Sequence, residues 1–316
     1  MSASTLTPPR GGDEPTQPSP LTQARALDRP TREATLRRDH SVSLFWEQHT
    51  DLLAEAWREW EADAELPILD ETLLDERLRE TVAAAWEDPT RESAVKDLWE
   101  PVVPGVFQTQ FFDPERLQDL RAYLDATVEA GIPVRAPYGI VLNRYGAMLD
   151  RRSSGYLAAP AFQSLYERLI ERYMRPISRL LFPEIAGYDS QSFGFSIQYQ
   201  PGMDTSIQPH TDASATTLNI NMNLPGETFA GSGVDFYDHG TGRPARFVFE
   251  SGVAALHRGG VPHAAHPITE GERTNLVLWL YGEHMGVPPP GIQGPALEAR
   301  ERWAPSVAPL DRSAPF

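Results

Sequence analysis

The chain has 316 residues, enough for one large domain or for one domain with an attached helical region. Lys and Arg number 28 against 44 Asp and Glu, and the formal charge of −16 argues against binding to a nucleic-acid backbone, which needs a cationic surface. There is no cysteine, which excludes disulfides and Cys-ligated zinc or iron–sulfur sites.

The N-terminus, MSASTLTPPRGGDEPTQPSP, lacks the apolar core of a secretory signal. No segment approaches the roughly 20 apolar residues that a membrane span requires. We therefore expect a soluble, cytoplasmic protein that does not bind membranes.

Residues 1–38 are rich in Pro, Thr, Arg and Asp, a composition that predicts a disordered tail. Residues 39–100 are predicted to form an N-terminal helical region, because apolar side chains recur there at helical spacing. The first helix begins near Ser41 and buries Trp57 and Trp60, and Asp70 is the predicted N-cap of the second. These helices pack either on the domain that follows or on a second subunit, which would make a homodimer.

Further along, Asp113-Pro114-Glu115 predicts a helix start, and Gly131 with Pro133 its end. Another helix is predicted from Pro160, with a kink or an end at Pro176. A Pro-rich, irregular tail is expected over residues 286–316.

From Ser192 onward the pattern becomes that of β-strands. In the segment from Thr217 to Leu224, short polar residues alternate with apolar ones, giving one polar and one apolar face. The polar face points either to solvent or into a ligand-filled barrel. Because it contains no Lys or Glu, the barrel interior is the favoured interpretation. The last strand is predicted from Arg273 to Tyr281.

A few residues in this β-rich half of the chain are candidates for a metal site. His210-Thr-Asp212 places an imidazole and a carboxylate two residues apart, which on a strand is one face, and His263 lies about fifty residues later. Two histidines and one carboxylate form the facial triad of non-haem Fe(II) oxygenases. Such a triad leaves three octahedral positions open, enough for a bidentate 2-oxo acid and dioxygen. Arg273, ten positions after His263, offers a charged fork for a second carboxylate.

The spacing around His263 is more specific than His-x-Asp alone. His263, Pro267, Gly271 and Arg273 form H-x-x-x-P-x-x-x-G-x-R. This segment resembles the 2-oxoglutarate/Fe(II) oxygenases, in particular the prolyl 4-hydroxylase-like branch. The resemblance covers roughly residues 107–281 and is sharpest between Tyr199 and Trp279.

The resemblance implies an α+β fold: a double-stranded β-helix, or jelly roll, over residues 101–285, flanked by helices. It implies Fe(II) held by His210, Asp212 and His263, the catalytic centre, with 2-oxoglutarate and O2 as cosubstrates. Arg273 would anchor the 2-oxoglutarate. Candidates for assisting it are Tyr199, Asn221 and Asn275.

Two other histidines compete for the third ligand position. His257 and His266 both lie near His263, but the spacing to Arg273 and the proline at 267 select His263. His257 is expected near the mouth of the site or in a packing role.

On the substrate side, Asn143, Arg144 and Tyr145 belong to a segment that resembles the substrate wall of some prolyl hydroxylase-like proteins; an ordinary solvated loop is the alternative. Arg151 and Arg152 are candidates for contact with an acidic substrate group.

These residues predict a dioxygenase that hydroxylates, or otherwise oxidises, an aliphatic C–H of a small molecule such as an amino acid or natural-product intermediate, releasing succinate and CO2. A protein (prolyl-type) hydroxylase is the alternative within the family. A non-enzymatic barrel that senses a metal or ligand is the alternative of another class, and it predicts a damaged triad or a missing anchor.

Overall fold

The computed structural model describes residues 17–137, 146–202, 206–295, 297–312 and 314–315. Helices surround a β-sheet core. In chain order they are α1 Pro20–Arg25, α2 Arg32–Arg37, α3 His40–Asp63, α4 Glu76–Glu87, α5 Glu92–Lys96, α6 Leu117–Glu129, α7 Pro160–Arg168, α8 Arg175–Leu181 and α9 Ala299–Arg302. No helix within these described ranges is both long enough and apolar enough to cross a bilayer.

The strands form two main antiparallel sheets. They are β1 Glu100–Val103, β2 Val106–Gln110, β3 Gln191–Tyr199, β4 Ile207–His210, β5 Thr216–Asn221, β6 Ala230–Gly231, β7 Val234–Tyr237, β8 Pro244–Phe247, β9 Val253–Arg258, β10 His263–Ala265, β11 Ile268–Glu270 and β12 Arg273–Tyr281. The large sheet has the order β1-β2-β9-β5-β12-β3, the small sheet has the order β4-β10-β7-β8, and β6 pairs with β11.

The two sheets share one core. Phe195 and Trp279 from the large sheet pack in the same buried cluster as Val234 and Phe236 from the small sheet. Face-to-face antiparallel sheets of this kind form a double-stranded β-helix. The predicted fold class is therefore confirmed.

The outer face of the large sheet is covered by helices. Leu218 and Ile220 of β5 and Leu278 of β12 belong to a second core that includes Phe162 of α7 and Leu120 of α6. Because neighbouring residues of a strand face opposite sides, Thr217 and Asn219 point into the barrel. Strand β5 thus directs its polar face inward, as its composition favours.

The first predicted helix is confirmed by α3, in which Trp57 and Trp60 are buried. Asp70 caps only a short 3-10 turn, and the second helix, α4, is capped by Asp75, whose carboxylate accepts from the N–H of Leu78. Residues of the N-terminal region pack on the β-helix domain, since the carboxylate of Glu61 accepts from the N–H of Ala161 at the start of α7. The homodimer stays a prediction.

The segment 20–37 differs from the predicted disordered tail, because it contains α1 and α2. Ser19 caps α1, which has Pro20 in its first turn, and Thr31 caps α2. Ala24 is buried, and the Nε of Arg25 donates to the carbonyl of Ala130. Capping and a few tertiary contacts hold these short helices although their composition is that of a tail. The division of the chain at residues 38, 100 and 285 remains a proposal.

Pro176 does not end the helix that begins at Pro160. The helix passes through a π-helical segment, Leu169–Met174, and continues as α8 with Pro176 in its first turn. Pro176 has no N–H to donate to the preceding turn, and the helix changes from π-helical to α-helical hydrogen bonding at this point. The C-terminal tail is also fixed: the side-chain amide of Gln191 donates to the carbonyl of Pro309, and Trp303 is buried against Trp86.

Candidate metal and cosubstrate site

Pairing between β4 and β10 brings the predicted ligands together. His263 is the register partner of His210, and Asp212 follows two residues after His210. The Oδ1 of Asp212 lies 3.6 Å from the Nε2 of His210 and 3.8 Å from the Nε2 of His263. One ligand atom from each of these residues lies within 4.8 Å of the others, close enough to share one ion.

Backbone carbonyls fix the tautomer of both imidazoles. The Nδ1 of His210 bonds to the carbonyl of Gln208 at 2.8 Å, and the Nδ1 of His263 to that of Val261 at 3.0 Å. A carbonyl only accepts, so each Nδ1 carries a proton, and in the neutral imidazole the Nε2 keeps its lone pair. Nδ1–H bonded to a carbonyl with Nε2 free is the usual arrangement of a metal-ligating histidine.

The charges also suit a divalent cation. Burial alone would raise the pKa of Asp212, but the neighbouring imidazoles of His210 and His263 and a hydrogen bond from Thr217 hold it well below its usual value. Burial lowers the pKa of His263 to about 4. At neutral pH the carboxylate is therefore ionised and His263 is neutral, the forms in which these side chains bind metal.

Arg273 is a buried cation without an acid partner among the described residues. It is 1% exposed, one guanidinium NH donates to the carbonyl of Ser232 at 2.7 Å, and its Nε has no hydrogen-bond partner in the described part of the chain. The guanidinium lies over the rings of Tyr199 and Phe249, at 4.4 and 5.2 Å from their centroids. A charge in this position is costly unless it is paired. The arrangement fits a carboxylate supplied by a bound molecule.

Arg273 and the three candidate ligands line one cavity between the sheets, together with Tyr199, the register partner of Arg273 on β3. Most of the remaining wall is apolar. It includes Phe195, Ile197, Ile207, Val234, Phe236, Val277 and Trp279. An apolar cavity with a few convergent polar groups is the usual form of a small-molecule site.

The amides on the inner face form a ladder. The amide nitrogen of Asn221 donates to Asn223 at 2.9 Å and to Asn275 at 3.2 Å, and the amide nitrogen of Asn275 donates to the oxygen of Asn219 at 2.6 Å. Of these four residues, Asn219 lines the cavity. The side-chain oxygen of Asn219 accepts from Asn275, and this bond fixes the orientation of the Asn219 amide, whose nitrogen remains a donor. In the sequence, only the alternation of polar and apolar residues along β5 indicates that Asn219 faces inward, and this alternation does not distinguish Asn219 from Asn221.

The two rival histidines differ in position. His266 is outside the cluster, where its Nε2 lies 2.6 Å from a carboxylate oxygen of Asp235. His257 is fully buried and lines the cavity, with its Nε2 3.7 Å from the Oδ2 of Asp212. The sequence places His257 near the mouth or in a packing role, but the structure places it beside the candidate ligands.

The predicted substrate residues Asn143, Arg144 and Tyr145 lie outside the described residues. Arg151 is exposed and pairs with Glu167, at 3.1 Å. Arg152 forms a buried ion pair with Asp150 at 2.9 Å, so it serves the fold rather than a substrate.

Comparison with known proteins finds relatives that match more than half of the chain. The chain is 29% identical over 181 residues to the human 2-oxoglutarate and iron-dependent oxygenase domain-containing protein 2, covering 55% of this chain and 48% of that protein. It is 30% identical over 208 residues to the oxygenase domain-containing protein CP2 of Arabidopsis thaliana, covering 62% of this chain and 50% of the relative. Over these residues the chain is similar to the 2-oxoglutarate and iron-dependent oxygenases.

The chain spans about half the length of these two relatives. No family model matches it. Among solved structures, a 2OG-Fe(II) oxygenase family oxidoreductase from Burkholderia pseudomallei matches with a TM-score of 0.40 and 20% identity, over 71% of this chain and 98% of the other. The family uses Fe(II), 2-oxoglutarate and O2, and the cluster of His210, Asp212 and His263 has the donor set to bind the metal.

Proposed function

We propose that this protein is an Fe(II)- and 2-oxoglutarate-dependent dioxygenase that oxidises an aliphatic C–H of a small molecule, such as an amino acid or a natural-product intermediate, with release of succinate and CO2. One observation carries the proposal: a triad of metal-ligand type and a buried guanidinium without an acid partner line the same cavity.

Each residue has a distinct part in this function. The Nε2 atoms of His210 and His263 and the Oδ1 of Asp212 would hold the iron. Arg273 would bind the far carboxylate of 2-oxoglutarate, and Tyr199 would hold the guanidinium over the cavity. With its cosubstrates, the iron supplies the oxidising chemistry. The apolar walls keep water away from it.

A compact substrate is favoured because two of the candidate ligands are mostly buried inside the barrel: the side chains of Asp212 and His263 are 8% and 12% exposed, and that of His210 is 29% exposed. A protein substrate is the second candidate. It is supported by 31% identity over 126 residues to the rat multifunctional procollagen lysine hydroxylase and glycosyltransferase LH3, which covers 38% of this chain and 16% of that protein.

The cofactor part is tested without a substrate. Fe(II) and 2-oxoglutarate, added without oxygen, should give the visible charge-transfer band of a chelated 2-oxo acid. His266→Ala is the matched control and should keep the band, whereas His263→Ala should lose it. A folded wild-type protein that gives no band at saturating Fe(II) and 2-oxoglutarate would contradict the proposal.

The substrate class is tested by succinate release. Metabolite extracts and Pro- or Lys-containing peptides are compared under the same conditions, and the products are analysed by mass spectrometry. A gain of one oxygen on a metabolite supports the small-molecule proposal. A gain on peptides alone would favour a protein hydroxylase.

A further inference from the structure

The two oxygens of Asp212 have different surroundings. Oδ1 faces the Nε2 atoms of His210 and His263, at 3.6 and 3.8 Å. Oδ2 receives a hydrogen bond of 2.5 Å from the hydroxyl of Thr217. The carboxylate therefore offers Oδ1 to the candidate ligands His210 and His263, while Oδ2 is bonded to Thr217 of strand β5 and lies 3.7 Å from the Nε2 of His257.

The direction of this hydrogen bond is fixed by chemistry. An ionised carboxylate only accepts, so the hydroxyl of Thr217 must donate its proton to Asp212. The hydroxyl of Ser214 lies 2.9 Å from that of Thr217. Because the hydroxyl proton of Thr217 already points to Asp212, Ser214 must be the donor to Thr217. Ser214 thus donates to Thr217, and Thr217 donates to Asp212. In such consecutive hydrogen bonds each bond polarises and strengthens the next.

All three members are removed from solvent. Ser214 is 2% exposed, Thr217 is 1% exposed, and the side chain of Asp212 is 8% exposed. Water therefore does not replace a lost hydroxyl easily, and a buried carboxylate oxygen without a donor is costly.

We propose that Thr217 is a positioning residue for the metal: supported by Ser214, it ties Oδ2 of Asp212 so that the carboxylate binds the ion through Oδ1 alone. This inference rests on the proposed function, because it assigns a role toward the iron. It predicts that one hydroxyl outside the ligand set controls metal affinity and ligand geometry.

The test is metal affinity, measured on the full chain. Co(II) is the probe, because its visible spectrum reports ligand geometry, and its affinity is measured by competition with a chromophoric chelator. Thr217→Val keeps the side-chain shape and removes the donor. We expect Co(II) to bind about 10- to 100-fold more weakly, the usual effect of losing a partner that orients a metal ligand, with an altered spectrum. Thr217→Ser should restore most of the affinity.

The chain offers a matched control one residue away. Thr216 is equally buried on the same strand, but its hydroxyl donates to Ser178 at 3.2 Å on the opposite, helix-covered face. Thr216→Val loses a comparable hydrogen bond, so it should lower the melting temperature and leave Co(II) affinity unchanged. Ser214→Ala should weaken Co(II) binding less than Thr217→Val does and more than Thr216→Val does. This variant tests the hydrogen-bond relay even if Thr217→Val does not fold.

The outcomes separate the two proposals. If the wild-type protein binds no Co(II), both the proposed function and this inference fall. If the wild type binds Co(II), and both Thr217→Val and Ser214→Ala bind Co(II) at least as tightly as the control Thr216→Val, the inference alone is overturned. Weaker binding in both, with rescue by Thr217→Ser, supports it.

Discussion

Gly259 controls the position of the candidate ligand Asp212 from a neighbouring loop. Its carbonyl accepts from the N–H of Asp212 at 2.9 Å, and its own N–H donates to the carbonyl of Ala215 at 3.1 Å. A Cβ built on Gly259 would lie 1.9 Å from the carbonyl oxygen of Ser214. The backbone leaves no space for a methyl group, so Gly259→Ala must displace the segment that carries Asp212.

The displacement can be estimated from this distance. Cβ atoms essentially never approach another heavy atom within 3.0 Å, so the two segments must separate by about 1.1 Å or more. A misplacement of about 1 Å typically costs on the order of 100-fold in rate. We therefore expect Gly259→Ala to lower uncoupled succinate formation by about that factor and to weaken Fe(II) binding in the anaerobic band titration.

Gly260→Ala is the matched control. A Cβ on Gly260 meets no atom within 4 Å, and Gly260 does not have a positive φ. This variant should retain wild-type Fe(II) affinity and succinate formation. Equal Fe(II) affinity in the two variants would refute the reasoning, because it would show that the loop absorbs the methyl group without moving Asp212.

Three further predictions concern other parts of the molecule. Arg273→Ala removes a desolvated charge pair, worth on the order of 2–5 kcal/mol, so 2-oxoglutarate should bind at least about tenfold more weakly in calorimetry while Fe(II) affinity changes little; unchanged 2-oxoglutarate binding would assign the anchor to another residue. His263→Ala should lose Fe(II) in a metal-content assay and His266→Ala should keep it; the reverse result would exchange their roles. Trp303→Ala should destabilise the protein by about 3–5 kcal/mol and lower its melting temperature, because this buried ring also donates to Glu92; an unchanged melting temperature would show that the tail is not stabilising.

The sequence was informative where the functional residues follow one another at a short, regular spacing. His210 and Asp212 are separated by one residue, and His263 meets them because β10 pairs with β4. Arg273 belongs to the same local sequence pattern as His263 but lies on β12 of the facing large sheet. The alternation of β5 likewise follows from the two-residue period of a strand.

The sequence was less informative where the partner lies on another strand. Asn275 is the register partner of Asn221, and its amide reaches Asn219, so cross-strand pairing decides which amide lines the cavity. His257 reaches the cavity because β9 lies next to β5 in the large sheet. The short helices of the N-terminal segment depend on caps and on a few long-range contacts, such as that of Arg25 with Ala130, which composition does not reveal.

The buried guanidinium of Arg273 has a consequence for the lifetime of the folded protein. With no acid partner in the described chain, the charge disfavours the folded state, and on the proposed binding mode a dicarboxylate relieves this penalty. A ligand that binds only the folded state at 100 times its Kd stabilises that state by about 2.7 kcal/mol. Monocarboxylic 2-oxo acids, which lack the far carboxylate, would leave the penalty in place. The supply of 2-oxoglutarate would thereby govern how long the protein survives heat and proteolysis, in addition to how fast it turns over.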